Sequence, residues 1–389
     1  MARHYGMDWL RIGAFAILIL YHIGMVFVPW PYHVKAVRTI DWVTVPMLFT
    51  SPWRLTLLFL VSGYASRALL VRSPGLTRFT ATRTSRLLVP LAFGVAVIVP
   101  PQSWVELASQ HGYARGYLHF WTRDFWRFGT LDGIVLPTWN HLWFVGYLWL
   151  YTLALAALLA VPRPTVLQRG FDRLFGGIGV VWVPILYLLI FQVYAVQRWA
   201  DTHDVIGDLP AHLGFFPAFL FGFALKGSPA VMAALVRWRW LTALLALAAY
   251  AVVGGVAYTW PGTSSPPQWV ADQTLWARQL QCWATIAALI GTAETYLNRD
   301  HRWRAPLVEG VFPFYLIHQT IIVVVAWWLR PSGWPLWAQF GILVAATAGG
   351  CWAFYRIGRE IGWLRPLIGL RRGVAQARTS ATSPNLPIV

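Results

Sequence analysis

Residues 8–22 read DWLRIGAFAILILYH, an acid, a base and an imidazole set into a run that is otherwise apolar enough to begin a membrane span. An ionisable group in hydrocarbon costs at least a few kcal/mol even on mild insertion scales, so three of them in one span need a reason. In a helix, Asp8 and Arg11 are neighbours at i, i+3, while Arg11 and His22 lie eleven residues apart, about three turns, on nearly the same face. The same geometry separates Arg11 from His22 by roughly 16 Å along the axis, too far to touch on a straight helix. They therefore serve different ends of one pathway. An Asp and an Arg at a helix start can simply pair or snorkel to the interface. A lone intramembrane histidine points more strongly to function.

The whole chain agrees with a span at this position. Hydrophobic residues make up 58% and charged residues only 12%, mean hydropathy is +0.54, and there are 25 Trp in 389 residues. That composition excludes a soluble domain and fits an all-α, polytopic integral membrane protein. A net charge of +17 would point to nucleic acid in a soluble protein. Here the arginines fall in short loops between apolar runs, which is the footprint of membrane topology, and no nucleic-acid partner is expected. Cys282 and Cys351 sit inside apolar segments, with neither a disulfide framework nor metal-ligand spacing. The group Asp201, His203, Asp204 and Asp208 reads as a solvated turn, so no metal is expected. The apolar N-terminus is interrupted by Asp8 and Arg11 and has no small-residue cleavage site after it, which makes it a retained first span.

Apolar runs of span length lie near 7–29, 53–71, 86–107, 139–161, 177–197, 210–226, 239–258, 277–297, 307–329 and 335–356, about ten transmembrane helices. The sixth is short and broken by Pro217, and is the weakest. With the N-terminus cytoplasmic, every inner loop between spans holds at least three Lys or Arg, among them Arg72, Arg78, Arg83 and Arg86, or Arg299, Arg302 and Arg304. That asymmetry places both termini in the cytoplasm. Residues 1–360 form the membrane domain and 361–389 a cytoplasmic tail whose small polar and proline content is that of a disordered end. The long outer loop 108–138 interleaves Trp, Tyr and Arg, suited to stacking on sugars or to an interfacial belt.

Further candidates lie on the spans. Ser62, beside Gly63 in the second, suits either catalysis or small-residue packing. Asn140, His141 and Trp143 stand at the outer mouth of the fourth, and Tyr315 and His318 share a face of the ninth. Glu294 and Glu309 lie towards inner ends. No P-loop, GxSxG elbow, HExxH or CxxC occurs in the context those chemistries need. What remains is a deep histidine able to act as base on a hydroxyl or to attack an activated acyl group.

Five motifs, in this order, resemble the membrane acyltransferase-3 family: DWLR with R-x10-H from Arg11 to His22, FLVSG at 59–63, RTSRLLVP at 83–90, NHLWF at 140–144 and FPFYLIHQ at 312–319. Within it the likeness is to the branch that succinylates periplasmic glucans, and it covers the chain to about residue 360. The resemblance implies a multi-pass protein of the bacterial inner membrane that moves an acyl group, succinyl or acetyl, from cytosolic acyl-CoA to hydroxyls of a periplasmic or surface carbohydrate. It implies no tightly bound cofactor, with acyl-CoA as co-substrate, and a carbohydrate acceptor, the bilayer and glucan-synthesis machinery as partners. His22 and Arg11 match the family's essential pair, and Asp8, Ser62, His141 and His318 match recurrent motif positions. Arg83 and Arg86 are placed to hold coenzyme A phosphates, with Arg11, paired to Asp8, aligning the donor. A transporter or flippase is the rival reading, since intramembrane Arg and His also mark transport paths, and a structural partner in a glucan-synthesis complex is a third.

Overall fold

The computed structural model describes residues 4–161, 164–199, 202–262 and 264–371. Ten helical segments fall on the ten expected spans. They are α1 (Tyr5–Met25), α2 (Arg54–Leu70), α3 (Leu76–Gln110), α4 (Asn140–Ala160), α5 (Gly179–Arg198), α6 (Leu209–Leu225), α7 (Pro229–Thr259), α8 (Gln268–Tyr296), α9 (Arg304–Leu329) and α10 (Leu336–Glu360). Among the described residues, eight stretches are long and apolar enough to cross a membrane, and they include all of these except α6 and α8. α6 has 17 residues, and the first half of α8 carries Asp272, Arg278 and four Gln. Several helices extend beyond their apolar runs. α3 begins ten residues before the expected span and α7 does likewise, because arginines such as Arg78, Arg83, Arg237 and Arg239 end hydropathy without ending the helix.

Proline does not break these spans, and neighbouring side chains explain why. Pro217 lacks the N–H that would bond the carbonyl of Leu213, and Tyr187 Oη donates to that carbonyl at 2.9 Å. In α5, Pro184 frees the carbonyl of Val180, and Trp283 Nε1 donates to it at 2.7 Å. Such substitutes make proline tolerable at membrane depth. The expectation that α6 is broken at Pro217 is thus corrected: the helix runs through.

α2 and α6 pack backbone to backbone. A Cβ on Gly63 would stand 1.9 Å from the Phe219 carbonyl oxygen, and one on Gly222 would stand 1.9 Å from that of Leu60. Small residues at such crossings are how apolar helices associate without a hydrophobic drive. α1 lies against α2, α8 and α9, so its polar face is turned into the bundle rather than to lipid. A continuous core runs from Met7 and Leu18 through Leu57 and Phe59 to Tyr147, Ile286 and Leu316.

The loop between α3 and α4 is partly ordered as a short hairpin, strands Gly129–Leu131 and Ile134–Leu136, within an otherwise all-α fold. Asp132 and Gly133 both take positive φ (47° and 86°), the D-G turn that suits the twist of paired strands. Phe120 and Phe125 of this loop are fully buried, while Trp126 and Phe128 face outward. After α10, residues 361–371 fold back on α3 and α10 with Ile368 buried; residues 372–389 lie outside the described residues.

Candidate functional site

The last turn of α1, the start of α2, the start of α4 and the middle of α9 enclose a cavity of about 830 Å³. It is lined by His22, Arg54, Asn140, His141, Trp143 and Tyr315, with Thr138, Thr202 and His203 from loops at its rim. Five of the residues singled out from the sequence are therefore brought together. His318 is fully buried behind them and completes the group.

Hydrogen bonds fix the protonation of the histidines. His318 Nδ1 lies 2.7 Å from the carbonyl oxygen of Tyr315, one turn back on α9, and a carbonyl can only accept. His318 is therefore protonated on Nδ1 and, as a neutral ring, offers a lone pair on Nε2. His22 Nδ1 stands 2.9 Å from that Nε2, so His22 donates, and its own proton is held on Nδ1. The consequence is a bare lone pair on Nε2 of His22, on the ring edge away from His318, in a residue that lines the cavity. This is the arrangement of a general base oriented by a second group. The two rings are near-parallel with centroids 5.1 Å apart, and Tyr32 flanks the other side of His22 at 6.4 Å.

The remaining members are tied to one another and to the backbone across helices. His141 Nε2 donates to the Leu316 carbonyl at 3.2 Å, and the Tyr315 hydroxyl donates to the His141 carbonyl, locking α4 to α9. Asn140 sits in left-handed conformation, φ 42°, held by its Nδ2 donating to Gln102 Oε1 at 3.0 Å. Gln102 comes from the part of α3 just past a π-helical turn at Gly94–Ile98. Such turns leave carbonyls unpaired, and here Trp121 Nε1 reaches Ala96 O at 2.8 Å and Thr320 Oγ1 reaches Ile98 O at 2.6 Å. Gln319 Nε2 joins the same network at Gln102 Oε1 (3.1 Å) and His33 Nε2 (2.8 Å), and His33 Nδ1 meets Glu106 Oε2 at 2.5 Å. In the adjoining loop, Lys35 Nζ donates to the carbonyls of Met25 and Val28, tying the chain to the end of α1, and its burial pushes it down to about 8.

Ser62 is not in this group. It does not line the cavity, and its backbone carbonyl accepts from Ser66 Oγ at 2.7 Å within α2. Asp8 and Arg11 lie near the other end of α1. The ion pair expected between them is redirected: Asp8 accepts from Arg304 Nη1 of α9 at 2.7 Å, while remaining near enough to Arg11 for their charges to interact. Arg304 reaches Asp8 because it opens α9 beside the first turn of α1, and it also binds Asp300 at 2.7 Å. Arg83 is half-buried near Arg11, with Nε and Nη2 themselves buried and lacking hydrogen-bond partners. Arg86 instead lines a groove of about 760 Å³ with Arg78, Ser85 and Arg371. Glu294 binds His4 and Asn298, and Glu309 binds Tyr355, as ties between helix ends. Asp208 caps α6 and accepts from Tyr147, and Asp201 lies outside the described residues. Among the described residues, no group of three His, Cys, Asp or Glu is placed to hold a metal.

A family model described as an acyltransferase domain, of the acyltransferase-3 type, matches residues 4–356. The chain belongs to that family. By fold it is a multi-pass membrane protein, in a family whose model is described as an acyltransferase domain. Among curated proteins it is similar to glucans biosynthesis protein C of Escherichia coli strain K12, 24% identical over 196 residues, covering 50% of this chain and 49% of that one. The protein of the same name from Escherichia coli O1:K1 / APEC matches to the same extent. The chain thus spans about half the length of the curated relatives it matches. No solved structure matches it.

Sequence reasoning missed Arg54, Gln102, Gln319, His33 and Glu106. Gln319 adjoins His318 and could have been read with it. Gln102 and Glu106, one turn apart in the apolar end of α3, carried the same signal of polar groups at depth that drew attention to His22. Arg54 gave no such signal, because an arginine at the mouth of a span ordinarily snorkels to the interface.

Proposed function

We propose that this acyltransferase moves an acyl group from acyl-CoA, bound at the Arg86 end of the bundle, to a hydroxyl of a carbohydrate that enters the cavity at the His22 end. The observation that supports the reading is the lone pair on His22 Nε2, set by the bond to His318, in a residue that lines a cavity with polar and aromatic side chains. His22 Nε2 takes the proton of the acceptor hydroxyl as its oxygen bonds to the acyl carbon. The thioester C–S bond breaks, and the proton passes from His22 to the leaving thiolate. The nascent imidazolium is stabilised through Nδ1 by His318. Trp143 and the rim offer a stacking face for a sugar ring.

At the other end, Arg78, Arg86 and Arg371 around one groove suit the phosphates of a coenzyme A donor, and Arg83 lies near both Arg86 and Arg11. Guanidinium donors with no carboxylate partner match phosphate oxygens. With the Arg86 end cytoplasmic, the donor approaches from inside the bacterial inner membrane and the acceptor from the periplasm. The matched relatives carry glucan biosynthesis in their name, which favours a periplasmic glucan as acceptor and its synthesis machinery as neighbour.

The test is the mass of periplasmic glucan from cells with and without the chain. Acyl substituents that depend on the chain support the reading. Glucan relocated without a change in mass favours a transporter instead and overturns it.

A further inference from the structure

A second cavity, of about 670 Å³, lies between α2, α4, α5, α6 and the short helix Pro164–Phe175. It shares no lining residue with the His22 cavity, and α2 is the wall between them: Arg54, Leu55 and Leu58 face one, Thr56, Arg67 and Val71 the other. Small side chains on α6, at Gly214, Ala218 and Ala224, leave the space, as do Pro184 and the π-helical turn Leu188–Gln192 in α5. The lining is mostly Leu, Val, Phe, Ala and Pro. Its few polar groups are engaged: Thr56 Oγ1 takes Cys282 Sγ at 3.6 Å, and Tyr187 and Trp283 donate to the carbonyls of Leu213 and Val180. Water needs several polar partners, so what fills such a cavity is apolar.

Arg67 stands at one end. Its Nη1 bonds Gln168 Oε1 at 2.5 Å and the carbonyls of Phe223 and Ala224 at 3.3 Å, and it makes no ion pair among the described residues. Asp172, near enough for their charges to interact, is held by Gln168 Nε2 at 3.0 Å. Arg72, exposed just past the end of α2, adds to the positive field. Leu167, Phe171 and Phe175 of the short helix line the cavity, while Arg169 and Arg173 fall on its other face, the pattern of a helix lying in the membrane interface. Arg67 is therefore at headgroup depth. Thr56, at the far end, is eleven residues away on α2, about 16 Å. That is about half of a roughly 30 Å hydrocarbon core, the depth of one leaflet. Val71, Leu158 and Leu167 at the edge are exposed, so the mouth faces lipid.

We propose that this cavity binds one acyl chain of an anionic phospholipid, with the headgroup phosphate on Arg67 and the second chain left in the bilayer. An apolar arm one leaflet long under a single anionic group matches the dry cavity and the guanidinium above it. The site does not depend on the transfer reading. Because α2 is the shared wall, a seated chain braces the face that carries Arg54 and Leu58 into the His22 cavity.

The experiment places the purified full chain in phosphatidylcholine vesicles with a trace of phosphatidylglycerol or phosphatidylcholine bearing a diazirine at the end of one chain, illuminates them, and maps the labelled peptides. In wild type the label falls on the peptides holding Thr56 and Gly214. One basic residue near the membrane surface favours the anionic probe over the zwitterionic one by about fivefold. Arg67→Gln brings the two probes level. Ala218→Phe, which fills the cavity, loses the label at both peptides. The wild-type pattern locates the chain by itself should that variant fail to fold. Label confined to lipid-facing residues such as Trp240 and Leu244 of α7, which are exposed, means ordinary boundary lipid only and overturns the proposal. So does equal labelling by the two probes in wild type, or a preference kept in Arg67→Gln.

Discussion

Replacing His318 by Leu removes the one acceptor that the structure gives to His22 Nδ1, at 2.9 Å, without touching the lone pair on Nε2. Two things follow. The neutral imidazole loses the bond that keeps its proton on Nδ1, and the imidazolium formed in the transition state loses its stabilising partner in a water-poor site. A hydrogen bond to a group that becomes charged is worth about 1.5–3 kcal/mol, which corresponds to roughly a 10- to 150-fold loss in kcat. KM for either substrate should change little, because the bond strengthens only as His22 takes up the proton. His318→Asn, whose side-chain oxygen can accept from His22, should recover part of the loss. The assay is steady-state transfer of labelled acyl groups by purified protein in vesicles, with insertion and thermal midpoint checked for each variant. A His318→Leu variant as active as wild type would refute the tautomer argument. One as dead as a His22 variant would make His318 itself the reacting group.

Three further outcomes test the frame around the site. Gly222→Leu places a side chain where even a Cβ stands 1.9 Å from the Leu60 carbonyl; overpacking of this kind costs about 1–3 kcal/mol, so the thermal midpoint should drop clearly, and an unchanged one would contradict the α2–α6 crossing. Asn140→Ala loses the bond to Gln102 and puts a less tolerant residue in the left-handed region, at about 1–2 kcal/mol, whereas Asn140→Gly should recover stability but not activity. Lys35 is held down at about 8 by burial, so from there up to its unfolded value the unfolded chain binds more protons and folding stability rises with pH. Wild type should thus gain on Lys35→Met in thermal midpoint between about pH 8 and 10, and a gap that narrows over that range would contradict the burial.

The path from sequence to site was uneven for physical reasons. The charges on α1 were legible because each interrupts an apolar run, and so were Asn140, His141, Tyr315 and His318. What joins them is not local: His22 meets His318 across 296 residues, and the reading of each as a separate candidate could not show the hydrogen bond that sets their tautomers. Asp8 was paired with Arg11 by helix spacing, while the fold brings it Arg304 from α9. Arg54 could not be picked out because its burial depends on Tyr21 arriving from another helix. The ends of α3, α7 and α8 were misjudged because hydropathy reports lipid contact, and these helices continue as polar turns beyond it.

The claim that His22 is the transfer base is tested most directly by comparing wild type with His22→Ala in sealed vesicles, following labelled acyl groups from acyl-CoA to glucan. Wild type should transfer, and His22→Ala should lose at least about 100-fold, with insertion and thermal midpoint retained. Equal rates from the two proteins would contradict it.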